Sequence, residues 1–319
     1  MDPLASARCT RPPVVWPVAP CRGELTWRRA HGPGFRQTSP GRFLPVDVGH
    51  DLVEQRIVEQ GSRRFRGAVT GWAALRWTGA AYFDGLDRGG SPLPVPLISL
   101  HELRPDDRIV VSREQLAHAT RRRVAGLWCV SPERAAFDEA RRRGTLRAAV
   151  AAIDMAAAAG LTTVEAVSRY VHGVGPWTGI ELARQAVALA IDTSGSPRET
   201  AMRLVWELDA GLPRPLCNVP VFTSGGRLLG FPDLLDPVAG VVGEYDGAAH
   251  LTAVNRRRDV AREERFRDHG LEYFVLVAGD LGDRTSVVRR MHRARRRARW
   301  LPEGERSWTL EAPAWWSAA

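Results

Sequence analysis

Lysine is absent from this chain: the 45 residues of the Lys plus Arg total are all arginine. With abundant Ala, Gly and Pro beside it, that pattern marks a GC-rich coding sequence, which raises arginine content independently of function. Long apolar runs are also missing. None approaches the ~20 residues that cross a bilayer, so no membrane association is expected. The first thirty residues hold Pro12, Pro13, Pro17 and Pro20 among scattered arginines and lack the apolar stretch of a secretory signal, so cytoplasmic residence is the expectation. Cysteine is scarce. Cys9, Cys21, Cys129 and Cys217 form no C-x-x-C pair and have no histidine at ligand spacing, which speaks against a zinc site or a disulfide framework.

What the chain does have is positive charge and length. A formal charge of +9 favours polyanionic partners, nucleic acid first. At 319 residues there is room for two domains with at least one full core.

Residues 1–45 are rich in Pro, Gly and Arg with little periodicity and read as a poorly ordered arm ending in a short strand. His50 to Phe65 has a helical pattern with Leu52, Ile57 and Val58 on one face, and Val69 to Phe83 reads as a second helix carrying Trp72, Leu75 and Trp77. Pro92 to Leu100 and Arg108 to Ser112 are extended and β-branched. Thr162-x-x-Glu165 and Thr178-x-x-Glu181 fit capping boxes, and the alanine-rich helix from Thr145 to Ala159 is expected to be buried. Residues 46–193 thus form an α+β, mostly helical domain without a catalytic constellation.

The pattern changes at Ser194. Ser196-Pro197-Arg198-Glu199 opens a helix with a serine N-cap, proline in the first turn and glutamate at the third position. Leu216 to Phe222 and Leu228 to Leu235 read as a hairpin about Ser224-Gly225-Gly226. A third strand follows from Val241 to Asp246, then a basic helix from Val254 to His269 closed by Gly270, a strand from Leu271 to Val277 and a last basic helix. The order over residues 194–300 is α-β-β-β-α-β-α, with residues 301–319 as a tail.

Asp233 falls in the second strand of the hairpin, and Glu244 and Asp246 in the third. Residues two apart on a strand share a face, so Glu244 and Asp246 point together and Asp233 joins them if the strands are neighbours. Three crowded carboxylates repel unless a cation compensates. Oxygen-rich sites of this kind suit Mg²⁺ or Mn²⁺ and serve phosphodiester hydrolysis. His250, four residues beyond Asp246, is placed to act as a general base or to assist the leaving group.

The stretch P-D-L-L-D-P-V-A-G-V-V-G-E-Y-D-G-A-A-H, followed by R-R-R-D-V-A-R-E-E-R-F-R-D-H-G-L-E, resembles the DUF559 group. That group is similar to the very-short-patch-repair endonucleases of the PD-(D/E)xK superfamily. The resemblance covers about a third of the chain and implies an α/β fold with a restriction-endonuclease-like αβββαβ core. It places Glu199, Asp233, Glu244, Asp246 and His250 in the catalytic site, with Asp233 and Glu244 as metal ligands. Arg257, Arg258 and Arg262 become nucleic-acid contacts. The superfamily's lysine is missing: position 246 is Asp, and His250 is the substitute that the very-short-patch-repair enzymes suggest. The same absence fits a degenerate domain that does not cleave. Upstream, T-G-W-A-A-L-R-W and V-S-P-E-R-A-A-F-D resemble the AbiEi-type antitoxins, whose winged helix would survive only as a remnant in residues 1–45. That likeness implies a DNA-binding regulator with a toxin or defence-operon partner.

Several of these residues have a purely structural reading as well. Glu199 doubles as the capping partner of Ser196, and Asp236 before Pro237 reads as a turn residue. Asp259 and Arg262 stand at i, i+3 on the basic helix and can pair with each other. Trp308, Trp315 and Trp316 in the tail read as packing residues.

Overall fold

The computed structural model describes residues 3–21, 25–87, 89–115, 120–247 and 253–316, and of 253–259 the backbone alone. The chain is mixed α/β and divides into two compact units, Ser6–Ala190 and Ile191–Ala319, the latter joined by Met1–Ala5. Among the described residues no helix is long and apolar enough to cross a membrane.

The 6–190 unit begins with helix α1 (Trp27–Ala30) and the hairpin β1 (Phe35–Ser39) and β2 (Arg42–Pro45). Helix α2 (Val53–Gly61), strand β3 (Gly67–Val69), helix α3 (Gly71–Trp77) and strands β4 (Val95–Ser99), β5 (Ile109–Ser112), β6 (Arg121–Val124) and β7 (Leu127–Val130) follow. The last five strands form one sheet in the order β5-β4-β3-β7-β6. Helices α4 (Pro132–Ala140), α5 (Leu146–Ala158), α6 (Val164–Gly173) and α7 (Ile180–Leu189) complete the unit.

Several expectations are corrected here. The arm is tied down. Arg11 donates to the Trp77 carbonyl at 2.8 Å and lies over the Trp77 ring, Val15 exchanges two 2.9 Å bonds with the Gln55 side chain, and Val18 pairs with Phe43. Val69 belongs to strand β3, and the helix starts only at Gly71, whose φ of +52 sets α3 off from the strand. The capping threonine of α6 is Thr163, accepting from the Ala166 amide, while Thr162 turns to Glu133. Helix α7 starts from Gly179 at φ +80, a backbone state that admits no Thr178 cap. The alanine-rich α5 is buried as expected, with Thr145 as its N-cap.

In the 191–319 unit, α8 (Pro197–Leu204) runs into a π-helical turn, Val205–Asp209. Strands β8 (Val221–Thr223), β9 (Leu228–Gly230), β10 (Leu234–Asp236) and β11 (Val241–Asp246) lead to helix α9 (Ala253–Asp268), strand β12 (Glu272–Val277), helix α10 (Arg284–Arg297) and strand β13 (Trp308–Thr309). β10 pairs antiparallel with β11, and β11 parallel with β12. The expected hairpin exists but is interrupted. Val221 pairs with Gly230 and Leu216 with Leu235, five residues back along one strand and five on along the other, so a single register spans the break at 231–233. Pro232 has no amide to give to a ladder, which accounts for the break.

The β10–β12 sheet is covered on both faces. Leu234, Val241, Phe274 and Leu276 meet Met202, Val205, Trp206 and Met291 from α8, the π-turn and α10. Leu235, Val242 and Tyr273 meet Phe266 of α9 and Trp308 of β13. The alternation of these two sets along β11 is the period-2 pattern of a strand buried on both sides. Gly243 is demanded by this packing: a Cβ there would lie 2.4 Å from the Phe274 ring, which stacks on Trp206. The tail is part of the unit, since β13 pairs with β8 and Trp315 and Trp316 pack against Phe222.

Candidate carboxylate site

Strand parity decides which side chains meet. Extending the Leu234–Gly243 pairing by one residue sets Asp233 directly across from Glu244, on the α9 face of the sheet. Opposed residues of an antiparallel pair hold their Cβ atoms ~4.5–5.5 Å apart. Asp233 follows Pro232 at the break in the hairpin, so its side chain is free of ladder constraints. Its Oδ2 accepts from the Tyr245 amide at 2.8 Å. Glu244 is buried, and its Oε1 lies 2.9 Å from a guanidinium nitrogen of Arg262 on α9. The same Arg262 donates to the Phe231 carbonyl, so it ties α9 to both sides of the break. Arg262 and Phe266 are one turn apart on α9, which explains why the helix presents an arginine to the site while burying a phenylalanine beneath it.

Glu199 enters from α8. Ser196 caps that helix, accepting from the Glu199 amide at 3.2 Å. The reciprocal half of the capping box is displaced by one residue: Glu199 Oε2 accepts from the Gly195 amide at 2.7 Å. That oxygen also accepts from the Asn218 side chain at 2.7 Å, and the Asn218 amide donates to the Pro232 carbonyl at 2.8 Å. Asn218 therefore braces Glu199 against the segment that carries Asp233. It sits at φ +52, a left-handed state that asparagine tolerates better than most residues. Sequence reasoning passed over Asn218; an Asn between Cys217 and Val219 in an extended stretch was the available signal.

The electrostatics are those of an under-compensated carboxyl. Burial pushes the Asp233 pKa up, the nearby Glu199 charge pushes it further, and the Tyr245 amide and Arg262 offset only part, leaving it at about 7. Burial and the Glu244 charge likewise drive the Tyr273 hydroxyl upward, so that it stays protonated.

The sequence candidates therefore separate. Asp233 and Glu244 face one another, with Glu199 in electrostatic reach of Asp233. Asp246 lies two residues beyond Glu244, exposed at the end of β11. Arg262 contacts Glu244, with a guanidinium nitrogen 2.9 Å from its carboxylate. His250 and the side chains of Arg257, Arg258 and Asp259 lie outside the described residues. Asp236 is a turn residue: its Oδ1 accepts from the Val238 and Ala239 amides and its Oδ2 from Arg295.

Among the described residues no group of three or more His, Cys, Asp or Glu side chains is arranged to hold a metal ion. A pair is a different matter. Mg²⁺ keeps several waters and needs only one or two carboxylates. The opposed Asp233 and Glu244, the first raised by like charge and burial, have the donor chemistry for it. Compared with family models, with curated proteins and with solved structures, the chain matches none.

Proposed function

We propose that the chain is a Mg²⁺- or Mn²⁺-dependent DNA endonuclease or nickase whose carboxy-terminal domain, residues 194–300, is of the PD-(D/E)xK kind. Asp233 carries this reading: a carboxyl raised to about 7 by burial and by Glu199, standing across the sheet from Glu244. Such crowding is what a hard divalent cation relieves. The order of α8, an interrupted hairpin, β11, α9 and a parallel β12 supports the fold.

Asp233 and Glu244 would hold the ion, which when bound lowers the pKa of a water and offsets negative charge at the phosphorus. The chain's own residues prepare that place. The Tyr245 amide fixes the direction of Asp233, and Asn218 with Glu199 fixes the turn before it. Arg262 holds Glu244 and sets a permanent cation beside the position of a phosphate. With Arg257 and Arg258 earlier on α9 it is assigned to the DNA backbone. His250 is assigned the proton transfer, in the role the missing lysine leaves open.

The test is nicking of supercoiled plasmid in Mg²⁺ or Mn²⁺. Asp233→Ala and Glu244→Ala are each expected to slow it by about 100-fold or more. Nicking that persists unchanged in both variants would sink the assignment. A second reading, a DNA-binding antitoxin-like regulator with a degenerate nuclease domain and a toxin or defence-operon partner, is favoured by the Arg262–Glu244 ion pair, in which a guanidinium already neutralises a proposed ligand. It expects steeply salt-dependent DNA binding and no Mg²⁺-induced change in melting temperature.

A further inference from the structure

The 6–190 unit holds a cavity of about 480 Å³ lined from α2, β1 and the segments leading into β4 and β5. Small-molecule sites run from ~300 to ~1,000 Å³. Its polar side starts from α2, where residues 56, 59 and 60 fall together at i, i+3 and i+4. Glu59 is engaged: Arg36 grips its carboxylate with two hydrogen bonds at 2.6 and 3.0 Å, and that pair is neutral.

Arg56 is held differently. Its half-buried guanidinium donates to the Asp84 and Gly85 carbonyls at 3.3 and 3.0 Å and lies over the Trp72 ring, so its hydrogen bonds go to neutral acceptors. Burial lowers its pKa, the mark of a cation short of counter-charge, with only the Asp84 charge opposing. Beside it Gln60, 4% exposed, gives its carboxamide oxygen to both Arg63 donors at 2.8 and 2.6 Å. The amide NH₂ is therefore the end left to the cavity. Arg108 stands at the rim, donating to the Thr38 carbonyl at 3.0 Å and to Asp106 at 3.3 Å, with Asp107 3.8 Å away, so it is the more neutralised of the two arginines. The second lining carboxylate, Asp107, is 92% exposed, so its charge is screened by water. Pro92, Leu93 and Val95 add apolar side chains to the lining, Leu93 next to Arg56, since its amide donates to the same Gly85 carbonyl at 2.8 Å.

A lining that sets guanidinium and amide donors beside apolar side chains selects an anion with a flat, apolar body. A bare phosphate or a small dicarboxylate would fill little of this volume and leave the apolar side chains in contact with water. We propose that the cavity binds a nucleoside monophosphate, its phosphate on Arg56 and Gln60 with Arg108 at the mouth, and its base against Leu93 and Val95. Guanidinium forks match phosphate oxygens two at a time, which suits Arg56 to this role.

Calorimetric titration of the full chain at 150 mM NaCl tests it, with AMP, GMP, CMP and UMP as probes beside inorganic phosphate, malonate and a single-stranded 20-mer. At least one nucleoside monophosphate is expected to bind, tenfold or more tighter than inorganic phosphate or malonate. Arg56→Gln is expected to weaken that binding at least tenfold. Leu93→Trp, which adds bulk to the cavity and removes no charge, is expected to abolish it at an unchanged melting temperature, and so covers the case in which Arg56→Gln fails to fold. No heat with any mononucleotide, binding unaltered in both variants, malonate binding as tightly as the nucleotides, or binding of the 20-mer alone would each overturn the proposal. Asp233→Ala is expected to leave the titration unchanged.

Discussion

Two aspartates, the fully buried Asp138 of one unit and the half-buried Asp233 of the other, show opposite ways of holding a carboxylate within a fold. Asp138 of α4 is fully buried, and its two oxygens accept from Arg134 at 2.7 Å, Arg141 at 2.9 Å and the Thr70 hydroxyl at 2.6 Å. Arg134 in turn lies over Trp177, with its charge centre 4.3 Å from the ring centroid. Here each charge has a partner, since Arg141 also pairs with Glu114 at 2.8 Å, and the aspartate is a structural hub for α3, α4 and the start of α7. Asp233 receives one backbone amide, shares Arg262 with Glu244 and feels the charge of Glu199. Here anions outnumber the cation. The same residue type is satisfied where it is fully buried, at Asp138, and left short of positive charge where it is half-buried, at Asp233. That shortage is what the proposed cation would relieve.

The comparison breaks most visibly if Asp138 is removed. Asp138→Ala strands two buried guanidiniums and is expected to cost about 3–5 kcal/mol, read by urea unfolding of the 6–190 unit. Asp233→Asn is expected to act in the other direction. In the native chain Asp233 keeps its proton up to about pH 7, whereas the ordinary value is 3.8. The native state therefore binds more protons through that window, and stability falls as pH rises through it. The amide removes that penalty, so the variant is expected to be more stable at pH 8 by on the order of 1–3 kcal/mol, with the gain gone by pH 4. A variant less stable than the parent at pH 8 would contradict the charge shortage.

Asn218→Ala loses the brace on Glu199 and leaves alanine in a left-handed conformation. A cost of about 1–2 kcal/mol is expected, and Asn218→Gly should recover part of it. The smallest expected effect is that of Arg262→Gln. Taking away the cation that, among the described residues, favours ionised Asp233 should move upward the pH midpoint at which Mg²⁺ raises the melting temperature. A midpoint that stays in place would show that Arg262 serves the helix and not the carboxylates.

Much of the 191–319 unit was legible because its signals are local and unambiguous. Ser196-Pro197 caps and opens α8, Gly225-Gly226 turns the hairpin, and Asp236-Pro237 turns the chain into β11, each fixed by the conformational demands of those residues. The Asp233–Glu244 apposition also followed from strand parity once the strands were taken as neighbours. What stayed hidden depends on distant partners. Asn218 matters because Glu199 and Pro232 lie 19 and 14 residues away in the chain and meet there. Arg262 spaces equally well with Asp259, and only packing of α9 on the sheet directs it to Glu244. In the 6–190 unit, Thr162 and Thr163 are adjacent and chemically equal as caps, so the choice between them falls to Glu133. Proline and arginine in the arm suggested disorder, although Arg11 finds the Trp77 carbonyl and Val15 the Gln55 side chain, partners distant in the chain.

The short strand β13 has a further consequence. By pairing Trp308 with Thr223 and Thr309 with Phe222, it occupies the outer hydrogen-bonding edge of β8. An uncovered edge of that kind is a template for another chain. Trimming the protein before Ser307 should therefore expose that edge, and light scattering against concentration should report growing assemblies for the truncated form and none for the full chain. On that view the tryptophan-rich tail acts as a gatekeeper against aggregation.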